Sequence, residues 1–148
     1  MDYKNDIEYR KETLKKLLYH IQDSEDLIIK ALYDDFKKPE FEAVLTETHY
    51  VISELKETIK KIHKWAKRKR VFPSILNFPS VDYIYKEPYG NVLIISPWNY
   101  PFQLALCPLV AAVAAGNKVV LKPSELTPHT SKIIARIIKK LFMLIMSK

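Results

Sequence analysis

Glycine is nearly missing from this sequence: Gly90 and Gly116 are the two among 148 residues, against an ordinary share of roughly 7%. Glycine adopts φ > 0 without steric penalty, so almost no position is expected to need that geometry. A glycine-rich loop that wraps backbone amides around a phosphate is excluded. Cysteine is scarcer still. Cys107 stands alone, which rules out an intramolecular disulfide and agrees with a reducing, cytoplasmic setting. No uninterrupted apolar run opens the chain, so residues 1–20 do not read as a secretory signal, and no transmembrane segment is expected, since spanning a bilayer takes about 20 apolar residues. His20, His49, His63 and His129 lack metal-ligand spacing; a pair such as HxxxH would be needed, so no metal site is expected.

What is present is a chain with 48% hydrophobic and 28% charged residues, enough apolar surface to offset folding entropy and build one core. The formal net charge is +7, which raises the question of a nucleic-acid or membrane partner. The distribution answers it. Fourteen of the 17 acidic residues lie within residues 1–70 beside 16 basic ones, so that stretch is nearly balanced. The run Lys64-Trp65-Ala66-Lys67-Arg68-Lys69-Arg70 reads as a solvated helix end, where cations meet the negative pole of the helix dipole. No nucleic-acid partner is expected.

Hydrophobic periodicity divides the chain. Ile7, Leu14, Leu17, Leu18 and Ile21 form one helical stripe, and Ile28, Ala31, Leu32 and Phe36 another, with Asp23 or Ser24 available to cap the second helix. Beyond Pro39, Phe41, Val44, Leu45, Thr48, Val51, Ile52, Leu55, Ile59 and Ile62 recur at steps of three and four, predicting one long helix to about Trp65. Residues 71–80, with Pro73 and Pro79, read as an extended connector. The period then becomes two at Val81, Tyr83 and Tyr85, and Glu87-Pro88-Tyr89-Gly90 makes a turn before Val92-Leu93-Ile94-Ile95, an apolar run suited to a buried parallel strand. A helix from Pro101 to Ala115 stopped by Gly116, a strand at 118–121, and a helix opened by Thr127 as cap and Pro128 at its first position complete the order strand, helix, strand, helix. The fold class is therefore α/β: a helical arm over 1–70, a connector with a strand over 71–91, and an incomplete Rossmann-like parallel sheet over 92–148.

Two strand ends carry unusual chemistry, Ile94-Ile95-Ser96-Pro97-Trp98-Asn99-Tyr100-Pro101 and Val119-Val120-Leu121-Lys122-Pro123-Ser124-Glu125. Open α/β sheets bind ligands outside the carboxyl ends of their strands, where both segments fall. As residues alone, Asn99 could simply turn the chain between two prolines, Lys122 and Glu125 could be a surface pair, and Trp98 could be ordinary packing. Together the two segments resemble the aldehyde dehydrogenase family. Lys38-Pro39-Glu40-Phe41-Glu42-Ala43, Leu45-Thr46-Glu47 and Glu87-Pro88-Tyr89-Gly90 extend the resemblance to the compact class of fatty and aromatic aldehyde dehydrogenases, over most of residues 8–140.

The resemblance implies a truncated aldehyde dehydrogenase fold and NAD-dependent oxidation of aldehydes to carboxylic acids by the parent enzyme. Asn99 matches the donor of an amide N–H to the oxyanion formed when a cysteine thiolate adds to the aldehyde, a fixed dipole that can contribute about 3 kcal/mol in the transition state. Lys122 and Glu125 match the pair on the adenosine ribose, and the carboxylate would disfavour the extra phosphate of NADP, although NADP remains possible. Ile95, Ser96, Pro97, Trp98 and Ser124 match positions lining the cofactor cleft. The Tyr83 to Tyr85 strand within 71–91 resembles the family's oligomerisation arm, so a homodimer is implied for the intact enzyme. The family's nucleophilic cysteine, its general-base glutamate and a Gly-Ser-Thr turn all follow the matched region, so the chain by itself is expected to be inactive. Cys107, in an apolar helical stretch, is expected to be an inert packed thiol. The alternative is a non-catalytic binding or interaction protein, or a small basic protein contacting nucleic acid through residues 64–70.

Residues 142–148 depart from the resemblance. If their codons from Met143 on read ATG-CTG-ATT-ATG-TCA-AA, one G restored before them encodes Asp-Ala-Asp-Tyr-Val-Lys, which resembles the family's continuation. A frameshifted or split reading frame is the expectation.

Overall fold

The computed structural model describes residues 6–146, with backbone only for residues 142–146. Helix α1 (Ile7–Asp23) opens at Asp6, whose carboxylate accepts from the Glu8 and Tyr9 amides at 3.0 and 3.1 Å. These amides have no intrahelical partner, so an acceptor placed one residue ahead stabilises the helix start. Helix α2 (Glu25–Phe36) begins at Ser24, but the serine hydroxyl makes no capping bond. Ser24 instead closes α1 through its backbone N–H to Ile21 at 3.1 Å. The expected side-chain cap is therefore replaced by a near-continuous helical junction.

Lys37 ends α2 with φ 58, its amide donating to Tyr33 at 2.7 Å. Among the described residues only Lys37, Gly90 and Gly116 have φ > 0, in keeping with the expectation that few positions need that geometry. The lysine ammonium lies 4.7 Å from the centre of the Tyr33 ring, which offsets part of the backbone strain.

The long helix expected after Pro39 is interrupted. Helix α3 (Glu40–Ala43) runs into a π-helical turn at Val44–Thr48 before α4 (His49–Ala66) resumes. A π turn holds one extra residue, so the apolar stripe slips in phase. Phe41 and Leu45 are consequently 79% and 55% exposed, while Glu47 is 0% exposed. The expectation that Phe41 and Leu45 share the core stripe with Val51 and Leu55 is corrected on this point.

After α4 the chain does not fray into a solvated helix end. It turns at Lys67 and pairs β1 (Lys69–Val71) antiparallel with β2 (Asp82–Ile84). The Arg68 guanidinium lies 4.5 Å from the Tyr83 ring centre and donates to the Tyr85 hydroxyl at 3.4 Å. The basic run is thus partly a strand, held by the tyrosines that alternate across from it. Between the strands, residues 72–81 hold one 3-10 turn at Ile75–Asn77 and a cis Phe78–Pro79 peptide.

Strand β3 (Asn91–Ile95), helix α5 (Gln103–Ala114), strand β4 (Lys118–Lys122) and helix α6 (Pro128–Met146) follow. The two strands pair parallel, Asn91 with Lys118 through Ile95 with Lys122. A parallel pair requires a crossover, and α5 supplies it. One buried core unites the helices with one sheet face: Leu14 and Leu17 of α1, Leu55 of α4, Leu106 of α5, Ile134 of α6 and Ile94 of β3 belong to it. The other face is bare. Leu93, Ile95 and Val120 are all exposed. The apolar tail beyond Leu141, and with it the reading-frame expectation, lies outside the residues whose side chains are described.

Candidate functional site

Parallel pairing in register brings the two segments singled out in the sequence side by side. Ile95 stands opposite Lys122, and the Ser96 amide donates to the Lys122 carbonyl at 3.1 Å. The chain then leaves β3 through Pro97, Trp98, Asn99 and Tyr100 and leaves β4 through Pro123, Ser124 and Glu125. Both excursions occur at the carboxyl edge of the sheet, and each leads into a helix amino terminus. Ile95, Pro97, Trp98 and Asn99 are exposed on this edge, and the Asn99 side chain has no hydrogen-bond partner among the described residues. Ser96 is buried, with its hydroxyl unpartnered.

The second excursion is tightly tied. Ser124 is buried, its Oγ accepts from the Leu126 amide at 3.3 Å, and its carbonyl accepts from the hydroxyls of Thr127 and Ser131. Lys122 and Glu125 stay exposed and pair with each other at 2.9 Å. The ammonium bonded to it holds the Glu125 carboxyl below the usual carboxylate range, so the site presents one fixed anion beside one cation at neutral pH. These are a donor and an acceptor suited to sugar hydroxyls. Together with the orphaned Ser96 hydroxyl, they fit the ribose and cleft roles that the sequence resemblance implies for a nicotinamide cofactor.

Residues outside both motifs hold the excursions in place. Glu47 accepts from the Phe102 and Gln103 amides at 3.1 and 2.9 Å, and its other oxygen meets the Lys38 ammonium at 2.5 Å. The carboxylate thereby occupies the amino terminus of α5 (Gln103–Ala114) and satisfies two amides that have no acceptor within the helix. Asp35 plays the same part for α6, accepting from the His129 and Thr130 amides at 3.1 and 2.8 Å and from the Thr130 hydroxyl at 2.7 Å. The cap expected from Thr127 is therefore supplied by a residue of α2. Sequence reading missed Asp35 and gave no role to Lys38 or Glu47. The one local signal was a glutamate lying next to the apolar stripe at Val44, Thr48 and Val51.

Cys107 sits half-buried in α5, and burial pushes its thiol up to about 11, with the Glu54 carboxylate acting in the same direction. Such a thiol is protonated at neutral pH, the reverse of what a nucleophile needs. Among the described residues no group of three or more His, Cys, Asp or Glu side chains could hold a metal ion, and no helix is long and apolar enough to cross a membrane. An apolar groove of about 750 Å³ between α1, α5, β4 and α6, lined by Leu17, Val113, Leu121 and Ile138, contains none of the expected site residues.

A parallel strand pair with a helical crossover, presenting polar groups at its carboxyl edge, is a β-α-β unit of an open α/β sheet, and that edge is where such sheets bind ligands. The chain belongs to the aldehyde dehydrogenase family, whose family pattern matches residues 3–143. It is 47% identical over 137 residues to the 4,4'-diaponeurosporen-aldehyde dehydrogenase of Staphylococcus aureus, an overlap covering 93% of this chain and 30% of that protein. It is 43% identical to a fatty aldehyde dehydrogenase of Saccharomyces cerevisiae, covering 91% of this chain and 26% of the relative. The solved substrate-bound state of Staphylococcus aureus AldH superposes with a TM-score of 0.90 at 47% identity, over 92% of this chain and 30% of that one. The chain thus spans about 30% of the length of the relatives it matches, and its fold is the corresponding part of the aldehyde dehydrogenase fold.

Proposed function

We propose that this chain is the amino-terminal part of an enzyme that oxidises aldehydes to carboxylic acids with NAD, and that residues 92–148 contribute half of its cofactor and oxyanion site. The observation that carries the reading is the Ser96 to Lys122 hydrogen bond, which joins the Asn99 and Glu125 excursions at one sheet edge. Asn99 would donate its amide N–H to the oxyanion of the thiolate adduct, from a turn that places its backbone at the sheet edge. Lys122 would donate to the ribose hydroxyls and Glu125 accept from them, with Ile95, Ser96, Pro97, Trp98 and Ser124 shaping the cleft. When bound, the nicotinamide supplies the hydride acceptor. Charge at Glu125 favours NAD over NADP, because the extra phosphate would face a carboxylate. Nucleophile and general base come from residues outside this chain, so the chain by itself turns over no aldehyde. The reading places the enzyme in the cytoplasm, a reducing setting with which the free thiol of Cys107 agrees.

Residues 1–70 form the arm of this arrangement and residues 71–91 its subunit-pairing element. Phe72, Ile75, Leu76 and Phe78 stand almost wholly in solvent around β1 and β2, the exposed apolar surface that a homodimer of the intact enzyme would cover. That same surface favours the second reading, an interaction protein without turnover.

The test joins the chain to the remaining part of the Staphylococcus aureus relative and follows reduction of NAD across an aldehyde series. Turnover is expected, with Asn99→Ala lowering kcat by about 10² to 10³, and Glu125→Gln shifting cofactor preference toward NADP. A folded hybrid that binds neither cofactor and oxidises no aldehyde, beside an active parent, refutes the enzyme reading and favours the interaction protein.

A further inference from the structure

The segment carrying Asn99 is gripped at alternate residues by the helical arm. Trp98 packs against Phe36 with ring centres 6.3 Å apart. The Lys38 ammonium lies 4.5 Å from the centre of the Tyr100 ring. Glu47 holds the amides of Phe102 and Gln103, and is itself held by Lys38. Both members of the ion pair are buried, Glu47 completely. Asn99 is the residue left between these grips, exposed at the sheet edge.

A buried ion pair is not an economical way to stabilise a fold, because desolvation offsets most of the attraction and apolar side chains of equal size do as well. This pair does something an apolar pair cannot. Each partner also makes a directional contact with the 98–103 turn, the carboxylate through two N–H donors and the ammonium over the face of an aromatic ring. The π turn at Val44–Thr48 is what rotates Glu47 inward to reach those amides. A regular helix there would shift its phase and change which side chains face α5.

We infer that Lys38 and Glu47 are positioning residues: through Tyr100, Phe102 and Gln103 they fix the turn that aims the Asn99 amide. The inference rests on the reading of Asn99 as oxyanion donor, and it makes the helical arm part of the site's geometry rather than a separate packing unit. Asp35 provides a built-in comparison, because it caps α6 from the same arm without touching the 98–103 turn.

Hydrogen–deuterium exchange followed by mass spectrometry, on the full chain at low micromolar concentration, tests it. Glu47→Ala is expected to speed exchange across 98–104 by roughly tenfold or more, the loss of charge-assisted hydrogen bonds, while peptides from α1 keep their protection. Asp35→Ala is expected to do the same at 128–131 and leave 98–104 unchanged. If Glu47→Ala fails to fold, Lys38→Met with Glu47→Gln leaves no unpaired buried charge and keeps one acceptor for the amides. That double variant is expected to retain the fold with intermediate exchange in the turn alone. Uniform loss of protection in the double variant, or an unchanged 98–104 peptide in a folded Glu47→Ala, overturns the positioning role. Asn99→Ala should leave the turn protected, so failure of the oxyanion reading would appear as turnover unaffected by Asn99→Ala in the hybrid enzyme, separately from this result.

Discussion

Two side chains show how burial decides the chemistry of individual residues. His20 lies buried in α1 with neither ring nitrogen hydrogen-bonded. Burial, reinforced by Lys140 of α6 and Lys16 of α1 against the opposing pull of Asp23, holds its imidazole below the usual 6.5. The unfolded chain therefore binds this proton at higher pH than the folded one does. Its neutral form is compatible with the fold above about 6.5, and stability is lost as pH falls through that value toward the lowered folded pKa. Urea unfolding midpoints should drop between pH ~7.5 and pH ~5, and His20→Leu should flatten that part of the dependence; an unchanged slope in the variant would remove His20 as the source. Cys107 makes the second case. With its thiol near 11, alkylation at neutral pH should run roughly 10²-fold or more slower in the folded chain than in urea. Equal rates would mean that α5 does not shield it.

Among the elements, the strand starts and the helix starts are fixed by different devices. Gly90 leads into β3 at φ 100, its amide donating to the Asn117 side chain at 3.0 Å and its carbonyl accepting from the Lys118 amide at 2.7 Å. That link aligns the first residues of β3 and β4. An added Cβ would meet nothing within 4 Å, so Gly90→Ala isolates the backbone penalty and should destabilise the chain by about 1–2 kcal/mol in chemical denaturation. No loss would show that the turn relaxes freely. Helix α6 depends on Asp35, and Asp35→Ala should cost about 1–2 kcal/mol, whereas Thr127→Val should cost less because its hydroxyl bonds the Ser124 carbonyl and caps nothing. The reverse order of effects would restore Thr127 as the cap.

Taken as a whole molecule, the chain leaves one sheet face and one loop uncovered. Leu93, Ile95 and Val120 form a bare apolar patch beside β3 and β4, and Phe72, Ile75 and Leu76 project from the connector. Monomeric soluble proteins rarely expose contiguous patches of this kind. The isolated chain should self-associate in size-exclusion chromatography with light scattering as its concentration rises, and Leu93→Lys with Val120→Lys should shift it toward monomer. A monodisperse monomer at all concentrations would contradict the expected association.

Sequence by itself determined the order and type of most elements. The period of 3.6 marks α1, α2 and α4, the apolar run 92–95 and its partner at 118–121 mark a parallel pair, and Pro128 marks the start of α6. These features are local, written in spacing and in the fixed φ of proline. The placing of Ser96, Asn99, Lys122 and Glu125 at strand ends was legible for the same reason. The π turn was not, because one extra residue in a helical turn leaves no local signature and simply shifts which residues face inward. Tertiary structure alone decided that Glu47 is buried while Phe41 is not, that Asp35 caps a helix 94 residues further on, and that part of the basic run pairs as a strand. Each of those outcomes depends on a partner distant in sequence, whose donors or apolar surface reach the residue only after the core has closed.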